Sequence, residues 1–574
     1  MGSLDILIGG ESFREIRENH CCYVDKTMFL EEMCAHTPPK ISLITRPRHF
    51  GKTLTMSMLA EFFDIKKQSA DIFENLKISK NKEICSKWMN KYPVINITLK
   101  DLNKANYSSN IENFLNIIYE LCIEHSYLID SDKVYPEDRA LLQAFNKHEA
   151  QGTILQNSLK IVSRALNFYW EKPVIILIDE YDTPINYAWH NGYYGEMIDF
   201  MRGVFSSTLK DNPNLKLAVV TGSLRIGSES IFTGVNNFRC FTIAHSQYAD
   251  VFGFTAKEVE KLLSNAGFYE KCDEVKEWYE GYRFGDKTDI YCPWDILNYI
   301  ADLKINPNNK LQSFWIKGSR NYIIREFIEQ ANFSVKEKIE TLLCGGSIVT
   351  SLLDEVTYDS LYNTEEHFWT VLYAAGFLTR AEASDAKISP GEEILCIPNR
   401  EIFELFKHEV RNNLVTFLKK NGNTEFFNAF WAGEKEILST LLTNLLLQTI
   451  SYYDYQENFY YSFLVSLFSR DEYIVRSYID SSSGRTDIIV YDVLNARCAV
   501  IEVKLVEEPM TPFLVKANEA LQQIKDKYYT PYLDDEYDVV HCWSMVFRKK
   551  KCLASYSRTF QLKENLPPPL PAKQ

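Results

Sequence analysis

The sequence predicts an α/β protein with a parallel-sheet domain at its N-terminal side, a mostly helical middle and a second α/β domain near the C-terminus. Three stretches predict it. "KISLITRPRHFGKTLTMSMLAEFF" runs apolar strand, tight loop, Gly-Lys-Thr, helix. "PVIILIDEYDTPI" is an apolar run of the kind buried on both faces of a parallel sheet, and it ends in two acids. "GRTDIIVYDVLNARCAVIEVKL" reads as a β-hairpin, two apolar runs flanking a short polar turn.

In the first stretch Ile41 to Thr45 form the strand, and Leu54, Met58, Leu59 and Phe62 mark one helix face. This is the order of a phosphate loop, in which backbone N–H groups and a helix N-terminus cradle phosphates. Lys52 is expected on the β- and γ-phosphates of ATP, and Thr53 on Mg²⁺. Phe50, Gly51 and Leu54 complete the candidate nucleotide-binding run. The first glycine of the usual GxxxxGK[ST] pattern is Arg46 here. Arg46 and Arg48 are therefore expected to replace backbone contacts to phosphate with side-chain ones. "YPVINITL" adds a further strand. Asp179 is expected to hold the Mg²⁺ shell and Glu180 to polarise the attacking water. The plain alternative is a strand-end acid pair in a turn, which the nearby Asp182 and Pro184 favour. "LKLAVVTGSLRIG" ends at Thr221-Gly222, where Thr221 and Arg225 are placed to meet the γ-phosphate.

A helical lid starts at "FTAKEVEKLLSNAGF", with Thr255 as N-cap and Glu258 completing a capping box. Amphipathic helical patterns follow, and Trp315 and Trp369 read as core. "LCIPNREIFELFKHEV" reads as strand, turn and helix. The expected boundaries are 1–245 for the parallel-sheet domain, 246–300 for the lid and 301–445 for the connector. The C-terminal domain is expected at 446–560, and a disordered proline-rich tail at 561–574.

With the hairpin turn centred on Asn495-Ala496, Asp487 falls opposite Lys504, and Ile489 opposite Glu502. Alternation then puts Asp487, Glu502 and Lys504 on one face, with Ile488, Val490, Ala499, Ile501, Val503 and Leu505 on a buried one. Two carboxylates beside a lysine suit phosphodiester hydrolysis. Hard oxygen ligands hold Mg²⁺ (or Mn²⁺), and the lysine stabilises charge on the phosphate. A lone Glu-x-Lys is more often a solvated surface pair; the additional acid on the same face argues for a site. "YQENFYYSFLVSLFSR", with Phe459, Phe463 and Leu467 in phase, supplies a helix before the hairpin. "FLVKANEALQQIKDKYY" supplies one after it, with Leu514, Ala517, Leu521, Ile524 and Tyr528 as its stripe, and "DVVHCWSMVFRKK" gives a last strand.

Composition narrows the function classes. A net charge of −14 excludes a broadly basic coat for nucleic acid, so contacts would come from local patches such as "FRKKK" at Phe547 to Lys551. The 13 cysteines contain no CxxC pair, which points away from zinc and disulfide frameworks and towards a reducing cytoplasm. No apolar run reaches the length of a membrane span, and "MGSLDILIGG" lacks the basic start of a signal peptide.

Asp487 followed after a hairpin by Glu502-Val503-Lys504 resembles the core of the PD-(D/E)xK nuclease superfamily. The resemblance implies an αβββαβ fold around a divalent metal, with Asp487 and Glu502 as ligands and Lys504 as a catalytic group. It also implies an extra acid at Glu457 and a site-facing polar residue at Gln523. The N-terminal half resembles an AAA-ATPase-like family through "TRPRHFGKT", "YVDKT" at Tyr23 to Thr27 and "SIFTGVNNF" at Ser230 to Phe238. "FGFT" from Phe252 and "GYRFG" with "YCPWDI" from Gly281 extend the match. It implies a P-loop NTPase domain of the ASCE type that binds ATP, and it makes Arg46 a family trait. Bacterial members commonly join such a domain to a C-terminal PD-(D/E)xK domain. The combination implies a nucleotide-regulated nuclease acting on nucleic acid, DNA first, with defence against foreign DNA or processing of mobile elements as suspected roles. A homo-oligomer is left open. The competing class is a nucleotide switch that binds nucleic acid or protein through an inactive nuclease fold. Arg46 favours that class, and the intact Asp487, Glu502 and Lys504 oppose it.

Overall fold

The computed structural model describes residues 5–34, 39–210, 212–225, 231–232, 238–316, 322–353, 356, 364–381, 389–421, 424–448, 457–470, 472–481, 484–506, 513–526 and 539–560. The expected tail, Tyr528, most of Ser230 to Phe238, and the side chains of Glu457 and Asp487 lie outside what is described. The chain divides into two compact units, Met1–Lys317 with Ser347–Phe403, and Gly318–Gly346 with Glu404–Gln574.

The first unit is built on β1 (Ile41–Thr45), β2 (Val94–Thr98), β3 (Val174–Asp179), β4 (Leu215–Gly222) and β5 (Phe238–Phe241). They lie in the order β2-β3-β4-β1-β5, and every neighbouring pair is parallel. β1 and β3 are buried throughout, as their unbroken apolar runs require. β4 separates β1 from β3, which is the ASCE-type arrangement. The loops after β1, β3 and β4 therefore meet at one carboxyl edge of the sheet, where open α/β sheets bind ligands.

The capping box expected at Thr255 and Glu258 is present. The Thr255 hydroxyl accepts the Glu258 N–H and Glu258 Oε2 accepts the Thr255 N–H, closing the capping box at the head of the helix Ala256–Ala266. The stretch expected to be a helical lid also holds strands. β6 (Phe254–Thr255), β7 (Tyr282–Phe284) and β8 (Lys287–Tyr291) form a small antiparallel sheet in the order β6-β8-β7. The "GYRFG" glycine serves this packing: Gly281 sits at φ 132, and a Cβ there would meet the Pro398 carbonyl oxygen at 1.9 Å. β9 (Ile348–Ser351), β10 (Thr379–Arg380) and β11 (Glu392–Cys396) form another three-stranded sheet. The helix Arg400–Asn421 follows β11, and Trp315 and Trp369 are core residues, both as expected.

Two acids far apart in sequence meet in this unit. Asp295 lies in the first turn of the helix Pro293–Ile305, and Glu401 in the first turn of Arg400–Asn421. Both are fully buried. Glu401 Oε1 accepts the N–H groups of Phe314 at 2.6 Å and Trp315 at 3.2 Å. Burial raises the pKa of Asp295 to about 6; burial and the neighbouring Asp295 push that of Glu401 well above the usual carboxylate range.

The second unit holds β12 (Ile474–Ser481), β13 (Gly484–Asp492), β14 (Arg497–Leu505), β15 (Val539–Arg548) and β16 (Lys551–Phe560), side by side in chain order. β14 and β15 are parallel and the other pairs antiparallel. A parallel pair needs a crossover, which the helix Phe513–Asp526 supplies. With the helix Glu457–Phe468 in front, this is the expected αβββαβ order, extended by β16. "FRKKK" is the tight turn between β15 and β16, where Arg548 pairs with Lys551.

Two details differ from expectation. Ile488 pairs with Ile501 and Val490 with Ala499, a register two residues away from the expected one. The turn is longer than a two-residue loop: Val493–Asn495 makes a 3₁₀ turn and Ala496 takes a left-handed φ of 47. A shift by two keeps every side chain on its face. Continued by one position, it sets Asp487 opposite Glu502 instead of Lys504. On the following helix Ala517, Ala520 and Ile524 are buried while Leu514 is 62% exposed, because Phe513 takes the position one turn before Ala517.

Candidate nucleotide and nuclease sites

Gly51, at φ 83, turns the loop after β1 into the helix Lys52–Phe63, a conformation that suits glycine. Lys52 is buried, and its Nζ donates to the carbonyls of Arg46 at 2.9 Å and Pro47 at 2.8 Å. Burial lowers its pKa, opposed by the charges of Glu180, Asp179 and Asp182. Asp179 Oδ2 accepts the Thr53 hydroxyl at 2.6 Å. Its Oδ1 accepts the Glu180 N–H at 3.0 Å and the Thr221 hydroxyl. One carboxylate thus ties together the segments following β1, ending β3 and ending β4. Glu180 has a left-handed φ of 53, and its Oε2 accepts the Thr183 hydroxyl at 2.9 Å, which fixes the side chain. Asp182 is structural: its Oδ2 accepts the N–H groups of Ser223 and Leu224 and so anchors the segment carrying Arg225. Arg225 is half-buried there.

Arg46 corrects an expectation. It is fully buried, and its guanidinium donates to the carbonyls of Thr45 at 2.9 Å, Phe241 at 2.8 Å and Tyr248 at 3.0 Å. It also lies over the rings of Phe252 and Phe284, at 5.3 and 5.7 Å. Carbonyl dipoles and ring faces hold this cation in the core, not phosphate, and burial lowers its pKa to about 10. The Phe50 side chain is likewise core, against Tyr282 and Phe284, which leaves only its backbone for a ligand. Arg48 and Leu54 are half-buried on the loop and the first helical turn. His49 stands exposed at φ 67, stacked on Trp294 at 5.2 Å and edge-on to Trp315 at 5.8 Å. Sequence reasoning missed this His49–Trp294 contact, because the two residues lie far apart along the chain. A lysine, two hydroxyls and a carboxylate converging at a helix N-terminus form a donor set that fits a nucleotide with Mg²⁺.

In the second unit Glu502 is 1% exposed, and Lys504 Nζ donates to its Oε1 at 2.9 Å. The face expected to be charged is mostly core: Ile489, Cys498 and Val500 pack under Ile524 of the covering helix. A carboxylate buried in such surroundings has to be compensated, and Lys504 begins to do so. Gln523, on the same helix, carries a buried Oε1 with no partner among the described residues. Ser544, which sequence reasoning missed, pairs with Glu502 across the β14–β15 ladder and is fully buried. Glu457 is the first residue of its helix. Among the described residues no three His, Cys, Asp or Glu side chains cluster, so a cation would rest on Asp487 with Glu502 here, and on Asp179 with Thr53 in the first unit. The orphaned polar oxygen on the covering helix fits a hydrated cation better than a dry wall would. The expected basic patch is thinner than its sequence: Lys550 pairs with Glu340 at 2.8 Å, and Arg548 lies over the Phe513 ring. Among the described residues no helix is long and apolar enough to cross a membrane.

Comparison with known proteins finds a family match in each of the two domains. Residues 7–232 match the family model described as a predicted AAA-ATPase, and residues 455–556 match that of the PD-(D/E)XK nuclease superfamily. The chain is also similar to an uncharacterized protein in the vnfD 5′ region of Azotobacter chroococcum mcd 1. The two are 23% identical over 563 residues, which span 94% of this chain and 96% of the relative. No solved structure matches the chain.

Proposed function

We propose, for a chain that joins an AAA-ATPase-like domain to a PD-(D/E)xK nuclease superfamily domain, a nucleotide-regulated, Mg²⁺-dependent nuclease that hydrolyses phosphodiester bonds in DNA. The observation that carries this reading is Glu502, buried on β14 with Lys504 Nζ at 2.9 Å, in a register that sets Asp487 opposite it. A buried acid held this way is costly unless it has a cation to meet. Asp487 and Glu502 would hold the divalent cation, which supplies charge neutralisation at the phosphate when bound. Lys504 stabilises the negative charge that develops on the phosphate oxygens, and Gln523 and Glu457 orient the attacking water. In the other domain Lys52 binds the phosphates of ATP, Thr53 and Asp179 hold its Mg²⁺, Glu180 positions the water, and Thr221 and Arg225 report the γ-phosphate. The choice of DNA and a part in defence against foreign DNA follow from the family resemblance, and a cytoplasmic setting from the scattered cysteines. Arg46, which had favoured an inactive switch, is packed into the core and leaves Lys52 and Thr53 in place.

The test is to incubate purified protein with labelled single- and double-stranded DNA and RNA, with and without Mg²⁺ and ATP. Cleavage should need Mg²⁺ and should vanish in Asp487→Ala and in Lys504→Ala while both variants stay folded. Wild-type rates in either variant would sink the nuclease assignment.

A further inference from the structure

We propose that Ser544 is a positioning residue for Glu502, an inference that rests on the metal-site reading of Asp487 and Glu502 above. The two residues are register partners in the parallel β14–β15 ladder, so their side chains leave the sheet on the same face from strands about 4.8 Å apart. Ser544 is fully buried, and its hydroxyl has no hydrogen-bond partner among the described residues. A buried hydroxyl without a partner is costly, and native cores rarely keep one without a reason. Its ladder neighbours on this face, Cys542 and Val546, are apolar and pack beneath the covering helix. Between Val540 and Val546 serine is thus the one polar residue of that row, and it stands at the level of the one buried acid of β14.

The arrangement suits a carboxylate that must turn from one partner to another. In this structure Lys504 occupies Glu502 Oε1. With a cation on the carboxylate, Lys504 would be free to face the phosphate, and the Ser544 O–H would donate to the carboxylate and hold its orientation. Groups that orient metal-binding carboxylates in this way typically change metal affinity by about 10–100-fold when removed.

The experiment is Mn²⁺ binding by calorimetry in the absence of nucleotide, read as the binding that Asp487→Ala removes. Ser544→Ala should weaken that binding by about ten-fold and should not lower the thermal midpoint of the metal-free protein, since the hydroxyl has no partner there. Ser544→Thr, which keeps the hydroxyl on a residue suited to strands, should restore it. A merely structural role would move the midpoint and would not track the hydroxyl. Wild-type Mn²⁺ affinity in Ser544→Ala, with binding still lost in Asp487→Ala, overturns the proposal alone. Absence of any Asp487-dependent binding in the wild type overturns the metal-site reading and this proposal with it.

Discussion

Lys52 and Arg46 carry the same charge six residues apart and do different work. Lys52→Ala should weaken ATP binding by about ten-fold or more, and because it also strips a donor from the Arg46 and Pro47 carbonyls its readout is affinity and not Tm. Calorimetry showing unchanged affinity would remove the lysine from the phosphates. Arg46→Ala instead strips the donor from the buried carbonyls of Phe241 and Tyr248, at about 1–3 kcal/mol for each one left unpaired. Its expected signature is a lower Tm; an unchanged Tm with lost ATP affinity would return Arg46 to the nucleotide. Glu180→Gln should keep ATP binding and stop hydrolysis, since the acid acts on the water and not on the bound phosphates. Hydrolysis at the wild-type rate would exclude it. Lys52, Thr53 and the Asp179-Glu180 pair were legible because each sits in a short run whose neighbours define its place. Arg46 was not, because the carbonyls it binds at Phe241 and Tyr248 come from far along the chain and only the folded sheet brings them close.

Elements show the same division between local pattern and distant contact. The hairpin was legible down to its faces although its register was not: the turn length depends on the left-handed Ala496, and a shift by two preserves alternation. Apart from β11, the strands of the small sheets β6 to β11 escaped notice because runs of two to five residues are too short to show a period. Asp295 and Glu401 come together from the first turns of two helices and were invisible for want of any sequence proximity. Their folded pKa values are raised, so their contribution to stability is fully present below the unfolded carboxylate range, near pH 4. It is lost as pH rises through about 6 for Asp295 and higher for Glu401. Tm should therefore fall as pH rises from the ordinary carboxylate range through about 6 and beyond, and Glu401→Gln, which keeps an oxygen for the Phe314 and Trp315 N–H groups, should flatten the slope. Parallel curves for variant and wild type would discharge the pair from this role.

For the molecule as a whole, the question is whether the two domains answer to each other. A nucleotide can regulate cleavage only by binding one conformation better than another. ATP or a non-hydrolysable analogue is expected to change the cleavage rate or the state of assembly. Identical cleavage and sedimentation with ADP, ATP and no nucleotide would mean domains that are merely tethered. The fold class was legible at this scale because long buried strands and a hairpin survive any misreading of what lies between them. The order of the parallel sheet also has a consequence for how the protein is made. β1 is synthesised first of its sheet, yet its two neighbours are β4 and β5, with Ile41 beside Ala218 and Phe238. At ribosomal speeds the wait between emergence of β1 and of its partners is roughly 10–40 s. For that interval an apolar strand destined for complete burial has no sheet to join. Chaperones that shield nascent apolar segments should therefore govern the yield of this protein more than any step after the chain is released.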